Sequence, residues 1–145
     1  MSSPNETYRR FAGPQTLICG YTHWDVLARP KQATLGALVL IARGEARDFS
    51  ALPLEAFTEM QRVITDIETA SRAVFAPEKL NYLMLMMVDP HVHFHVVPRY
   101  SASRSLHDFA PVNDPGWPGP PDLAAGPEDP ALTAAVRDVL RAHWP

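Results

Sequence analysis

The stretch "HVHFHVVPRY", His91 to Tyr100, alternates two chemistries residue by residue, the mark of an extended strand. Successive strand side chains point to opposite faces, so His91, His93 and His95 share one face while Val92, Phe94 and Val96 share the other. The apolar face packs, and the opposite face is a row of imidazoles. Such a strand requires a sheet around it, a core beneath it and a reason for three titratable rings above it.

The neighbouring sequence supplies the sheet. "KLNYLMLMMV" reads as a strand separated from the histidine strand only by Asp89 and Pro90, the composition of a tight turn, which predicts an antiparallel pair containing Asn81. Thr34 to Ala42, "TLGALVLIA", is short, apolar and rich in Leu, Val and Ile, as a buried strand is, and "TLICG" and "HWDVLAR" read as shorter strands parted near Gly20 and Tyr21. From Pro53 to Phe75 the apolar positions Leu54, Phe57, Met60, Ile64, Ile67 and Val74 recur in three- and four-residue steps. That spacing predicts an amphipathic helix, opened by Pro53 and closed before Pro77. Residues 110–130 are dominated by proline and glycine and form an irregular loop, and 131–143 form a short terminal helix preceded by Glu128 and Asp129. The expected fold is α+β: an antiparallel sheet, one long central helix and a short C-terminal helix.

At 145 residues the chain is long enough for one domain, 1–145, and short for two. A net charge of -3 argues against coating bulk nucleic acid, so an anionic ligand must be gripped locally. The lone cysteine, Cys19, cannot form an internal disulfide and reads as a small buried residue; it suggests a reducing, cytoplasmic setting. No apolar run is long enough for a membrane span.

For His23, His107 and His143 the ordinary reading suffices: an exposed or hydrogen-bonded side chain. Three imidazoles on one face are different, because burying them side by side brings desolvation and mutual repulsion on charging. Two chemical uses compete. Two of the three could share a zinc ion, but His91 and His95 lie about 13 Å apart along a strand, too far for one ion to bridge, and no further ligand is evident. Alternatively, a neutral imidazole is a nucleophile at neutral pH and forms covalent intermediates, with flanking histidines orienting it and donating to anionic oxygens.

"HVHFHVV" fits the pattern His-φ-His-φ-His-φ-φ, where φ is apolar, and resembles the histidine triad superfamily; the following "PR" is similar to many of its hydrolase members. The order of strand, long helix and two strands is also similar, so the resemblance spans residues 16–100. It implies a protein that binds a small nucleotide conjugate and hydrolyses it or transfers its nucleotidyl group, with no metal or other cofactor, working as a homodimer with a continued sheet. Mapped onto this chain, His93 is the nucleophile toward the α-phosphate, His91 orients it, and His95 contacts phosphate. A short bacterial group with Gly-Asn-x-x-Pro-His before the triad is similar through Pro90, but Met86 and Met87 stand where that group has Gly and Asn. A nucleotide-binding module with little or no catalysis is therefore the alternative.

Arg99 and Arg104 are candidate phosphate contacts, since guanidinium pairs with phosphate oxygens, although each also reads as a surface arginine. Trp117, in "DPGWPGP", is a candidate substrate-binding residue that could stack on a nucleobase or instead anchor its loop, and the short bacterial group has a similar Asp…Trp-Pro segment. Asp89 reads as a turn residue.

Overall fold

The computed structural model describes residues 3–145. In chain order its elements are helix α1 (Glu6–Arg10), strands β1 (Leu17–Gly20), β2 (Trp24–Ala28) and β3 (Leu38–Ala42), helix α2 (Leu54–Val74), strands β4 (Lys79–Leu83) and β5 (His93–Arg99), and helix α3 (Pro130–His143). The strands form one antiparallel sheet in the order β1-β2-β3-β5-β4. Among the described residues no helix is long and apolar enough to cross a membrane.

Alternation on the central strands divides the sheet cleanly. Trp24, Val26 and Ala28, Leu38, Leu40 and Ala42, and Val96 form the main core with Ala56, Val63, Ile67 and Ala70 of α2 and Leu132, Val136 and Leu140 of α3. On the opposite face, Leu27, Val39 and Ile41 are covered by Tyr8, with Phe11 and Leu17 beside them. Both faces of β2 and β3 are thus shielded, the condition under which a strand reads as a near-continuous apolar run.

Helix α2 follows the expected span, yet it is rotated from the expected stripe. Leu54 is 76% exposed and Phe57 38%, while Ala56, Val63, Ile67 and Ala70 face the sheet. Ala56 lets the start of the helix approach the buried Trp24, whose indole N–H donates to the Ala56 carbonyl (2.8 Å).

The expected two-residue turn at Asp89-Pro90 is absent. Strand β4 ends at Leu83, residues 84–92 run irregularly through Met86 at φ 52°, and β5 begins only at His93. The physical reason lies in β3. The Ala42 N–H donates to the Val92 carbonyl (2.9 Å) and the Val92 N–H to the Ala46 carbonyl (3.1 Å), drawing 91–92 along the exit of β3 and away from β4. The antiparallel pairing of β4 with β5 does form, with Leu83 opposite His95 and Asn81 opposite Val97.

The expected 110–130 loop lacks helix and strand up to residue 129, after which α3 follows at Pro130, but it is tied down. Val112 bridges to Arg104, the Gln32 N–H donates to the Pro127 carbonyl (2.9 Å), and Gly126, at φ 90°, passes so close to Gln32 that a Cβ would overlap its carbonyl. The strongest tie is Arg99, which donates side-on to Asp114 from Nε (2.8 Å) and Nη2 (3.1 Å), from Nη1 to Asn81 Oδ1 (2.7 Å) and from Nη2 to the Gly119 carbonyl (2.8 Å). Both charged side chains are buried, 5% and 1% exposed. Removing one partner leaves an uncompensated charge, so Asp114→Ala is expected to lower stability by about 3–5 kcal/mol in urea unfolding. A loss within about 0.5 kcal/mol would show that the pair does not hold the loop.

Candidate active site

The site begins with backbone geometry. His93 and His95, both on β5, project to the face lined by Leu27, Val39 and Ile41, whereas His91 precedes the strand. All three are buried, at 3%, 2% and 8% exposure for His91, His93 and His95. The His93 and His95 rings meet edge-on with centroids 5.2 Å apart, and the Phe11 ring lies 5.8 Å from each.

Each histidine has a distinct partner. His93 Nδ1–H donates to the His91 carbonyl oxygen (2.7 Å), which leaves the lone pair of the neutral ring on Nε2. His91 therefore reaches His93 through its backbone. Its own ring is held at Nδ1 by the Thr7 hydroxyl (2.8 Å) and at Nε2 by Glu45 Oε2 (2.8 Å). Because a carboxylate only accepts, Nε2–H donates to Glu45, and the Thr7 hydroxyl, which both donates and accepts, meets Nδ1. Arg29 Nε–H donates to His95 Nδ1 (3.3 Å). Burial, then the Arg29 charge, then His93 push the His95 pKa down to about 4, so this ring is neutral at pH 7.

Local sequence explains why Thr7 stands there. The Asn5 side chain caps α1 by accepting the Tyr8 N–H (3.1 Å), and the same amide donates to the carbonyls of Ala42 (2.9 Å) and Gly44 (2.7 Å). One buried residue thus starts the helix and pins it to the exit of β3. Thr7, Phe11, Arg29 and Glu45 escaped the sequence reading. Arg29 left a signal, since it follows Asp25 and Leu27 at alternate positions just past the end of β2, and Asn5 heads an N-cap pattern; Glu45 carries no local mark.

Arg99 and Trp117 come together, apart from the histidines. With Lys79, Asn81 and Pro118 they line an open cleft of about 580 Å³. Arg99 shares the histidine face but lies four residues beyond His95, about 13 Å along the strand. Its guanidinium is committed to Asp114, Asn81 and Gly119. Arg104 lies over the Tyr100 ring (4.9 Å) and donates to the Phe75 carbonyl (2.9 Å), on the side of the sheet away from the triad. Asp89 lies 3.5 Å from Arg10 Nε as an ion pair. His143 Nδ1 bonds the Val139 carbonyl of its own helix (2.9 Å). Among the described residues no group of three or more His, Cys, Asp or Glu side chains is arranged to hold a metal ion.

The geometry supports nucleophilic chemistry. An unprotonated Nε2 on a ring fixed through its other nitrogen, with a neutral imidazole beside it and an aromatic wall across from it, is an attacking group with a neighbour able to meet developing charge. The depressed His95 pKa has a consequence for stability: the unfolded chain binds a proton near pH 6.5 that the folded chain refuses until about pH 4. Stability therefore falls as pH drops from 6.5 toward 4, by about 2 kcal/mol after discounting for solvent at the ring edge. Urea unfolding across this window should show the fall in the native protein and a smaller one in His95→Asn; identical profiles would contradict the buried neutral ring.

A family model for the HIT domain matches residues 24–102. Several solved structures are similar. A histidine triad protein from Bradyrhizobium japonicum aligns over 99% of this chain and 98% of its own, at 17% identity and a TM-score of 0.70. A hypothetical histidine triad nucleotide-binding protein from Sulfolobus tokodaii aligns over 88% and 82%, at 11% identity and a TM-score of 0.66. A HIT family protein from Bacillus anthracis has 25% identity and a TM-score of 0.55, but the match covers 59% of this chain and 64% of that one, less than two thirds of its length. No curated protein matches the sequence. The two long alignments have the same α+β architecture, and the matched segment makes up more than half of the chain with the histidine strand inside it. The protein belongs to the HIT, or histidine triad, family.

Proposed function

We propose that this protein is a nucleotide hydrolase or nucleotidyl transferase acting at the α-phosphate of a nucleotide conjugate, such as a diadenosine polyphosphate or a nucleoside phosphoramidate. The observation that carries the reading is the His93 ring, bonded at Nδ1 to the His91 carbonyl so that Nε2 carries the lone pair of the neutral imidazole. HIT proteins as a family bind nucleotides and include hydrolases and transferases. Nε2 attacks the α-phosphorus and forms a P–N bond as the bond to the leaving group breaks. The leaving group departs with the electron pair of that bond and takes up a proton. Water or another acceptor then attacks the same phosphorus, the P–N bond breaks with its pair returning to Nε2, and the proton of the incoming nucleophile is released.

In this scheme His95 donates to the phosphate oxygens and Phe11 walls the reacting centre. The cleft at Trp117 takes the far part of a long conjugate, with Trp117 as its aromatic surface and Arg99 holding its wall. The lone Cys19 and the nucleotide chemistry agree with a cytoplasmic enzyme. His93→Ala should lower turnover of a diadenosine polyphosphate at least about 1,000-fold with the melting temperature little changed; full turnover in that variant would refute the assignment.

A second reading, a nucleotide-binding module, is favoured by one observation. The approach to His91 carries Met86, packed against the core, and the 87%-exposed Met87 instead of polar side chains. Calorimetry with AMP and GMP alongside the turnover assay separates the two, since tight binding without turnover selects the module.

We also propose a homodimer built on β4. The outer edge of β1 is occupied at Leu17, whose carbonyl accepts from Arg141 Nε (3.0 Å), whereas β4 is the other edge strand and is followed by Leu85, Met87 and Val88 at 51%, 87% and 81% exposure. An unpaired edge beside exposed apolar side chains is suited to strand pairing between copies. Light scattering should give twice the chain mass for the native protein and the monomer mass for Met87→Glu/Val88→Glu; a native monomer would contradict the proposal.

A further inference from the structure

We infer that Arg29 is a positioning residue: its bond to His95 Nδ1 holds the third histidine in the tautomer that carries its proton on Nε2. A guanidinium has donors and no acceptor, so a ring nitrogen that bonds to it must carry a lone pair. The single proton of a neutral imidazole then sits on the other nitrogen. His93 has the opposite arrangement, because its Nδ1 faces the His91 carbonyl, which only accepts. Two rings 5.2 Å apart are thereby given complementary outer atoms, a lone pair on His93 Nε2 and an N–H on His95 Nε2. Were both tautomers alike, the pair would offer two lone pairs or two donors, and either attack or phosphate binding would suffer.

Arg29 is built to stay in place. It is 9% exposed, and Nη1 donates to the carbonyls of Lys31 (2.9 Å) and Leu123 (3.1 Å), so the backbone after β2 and the proline-rich loop both hold it. The loop is therefore coupled to the histidine it never touches. The charged and titratable groups around His95 are Arg29 and His93, with Glu128 acting on Arg29 from beyond, and Phe11 supplies an uncharged wall. The tautomer assignment is independent of activity; its catalytic consequence rests on the hydrolase reading above.

The test is nitrogen-15 NMR of the histidine rings in the intact protein at pH 7, with activity measured beside it. The native protein should show His95 protonated on Nε2 and His93 on Nδ1; a native His95 protonated on Nδ1 overturns the proposal without any variant. Arg29→Lys, another donor without acceptors, should preserve the His95 tautomer while kcat falls, because one ammonium cannot also hold the Lys31 and Leu123 carbonyls in the guanidinium's geometry; a His95 proton on Nδ1 in this variant would contradict the inference. Arg29→Glu, an acceptor, should move the proton to Nδ1, raise the pH at which His95 titrates, and lower kcat about a hundredfold with a smaller effect on KM. An Arg29→Glu protein that stays folded by circular dichroism and keeps the Nε2–H tautomer contradicts the inference. If His93→Ala retains full turnover while the tautomers are as stated, the hydrolase reading fails and the role of Arg29 in setting the ring stands.

Discussion

The hydrogen bond from His93 Nδ1 to the carbonyl of His91 is the interaction on which the proposed chemistry depends. It forms between residues two apart where the chain enters β5, and the bonds of Val92 to Ala42 and Ala46 fix the intervening residue against the exit of β3. A backbone carbonyl cannot donate, so it fixes which nitrogen of His93 is protonated, with no need for a carboxylate in that role. The first histidine thus meets the second through its peptide group, while Thr7 and Glu45 hold its ring. Changing the ring of His91 consequently differs in kind from changing that of His93.

The rest of the fold serves to bury this arrangement without starving it of partners. Helices α2 and α3 cover one face of the sheet, and the N-terminal segment around Tyr8 and Phe11 covers the other. Burial holds His95 neutral, and polar ties meet the cost of enclosing so many hydrogen-bonding groups. Asn5, Arg29 and Arg99 each bond to chain segments distant in sequence; Asn5 and Arg29 tie such segments close to the histidines, whereas Arg99 ties the proline-rich loop to the far end of β5.

Much of this architecture was legible in the sequence, and the reasons differ by element. The strands at Trp24, Leu38 and His93 announce themselves by alternation or by continuous apolar character, and α2 by its period and its flanking prolines. The face of α2 differs from the expected stripe because the periodicity reports large apolar residues, whereas the face turned inward also carries Ala56, which accepts from Trp24, and Ala70. The turn at Asp89-Pro90 had the right composition for a hairpin, yet competing bonds to β3 pull the chain elsewhere. Within the candidate site, the histidines were legible from spacing alone. Their partners were not, because Thr7–His91, Arg29–His95 and Glu45–His91 span 84, 66 and 46 residues, and no local pattern encodes such contacts. Arg99 could be identified as a cation near the triad, but its occupation by Asp114 only emerges once the loop is in place.

Whether His93 forms a bond to phosphorus is most directly read from stereochemistry at that atom. With a substrate made chiral at the α-phosphorus by sulfur and isotopic oxygen, attack by His93 followed by attack of the acceptor gives two inversions, and the account predicts overall retention of configuration. Net inversion would mean a single direct displacement and would contradict a covalent nucleotidyl-histidine.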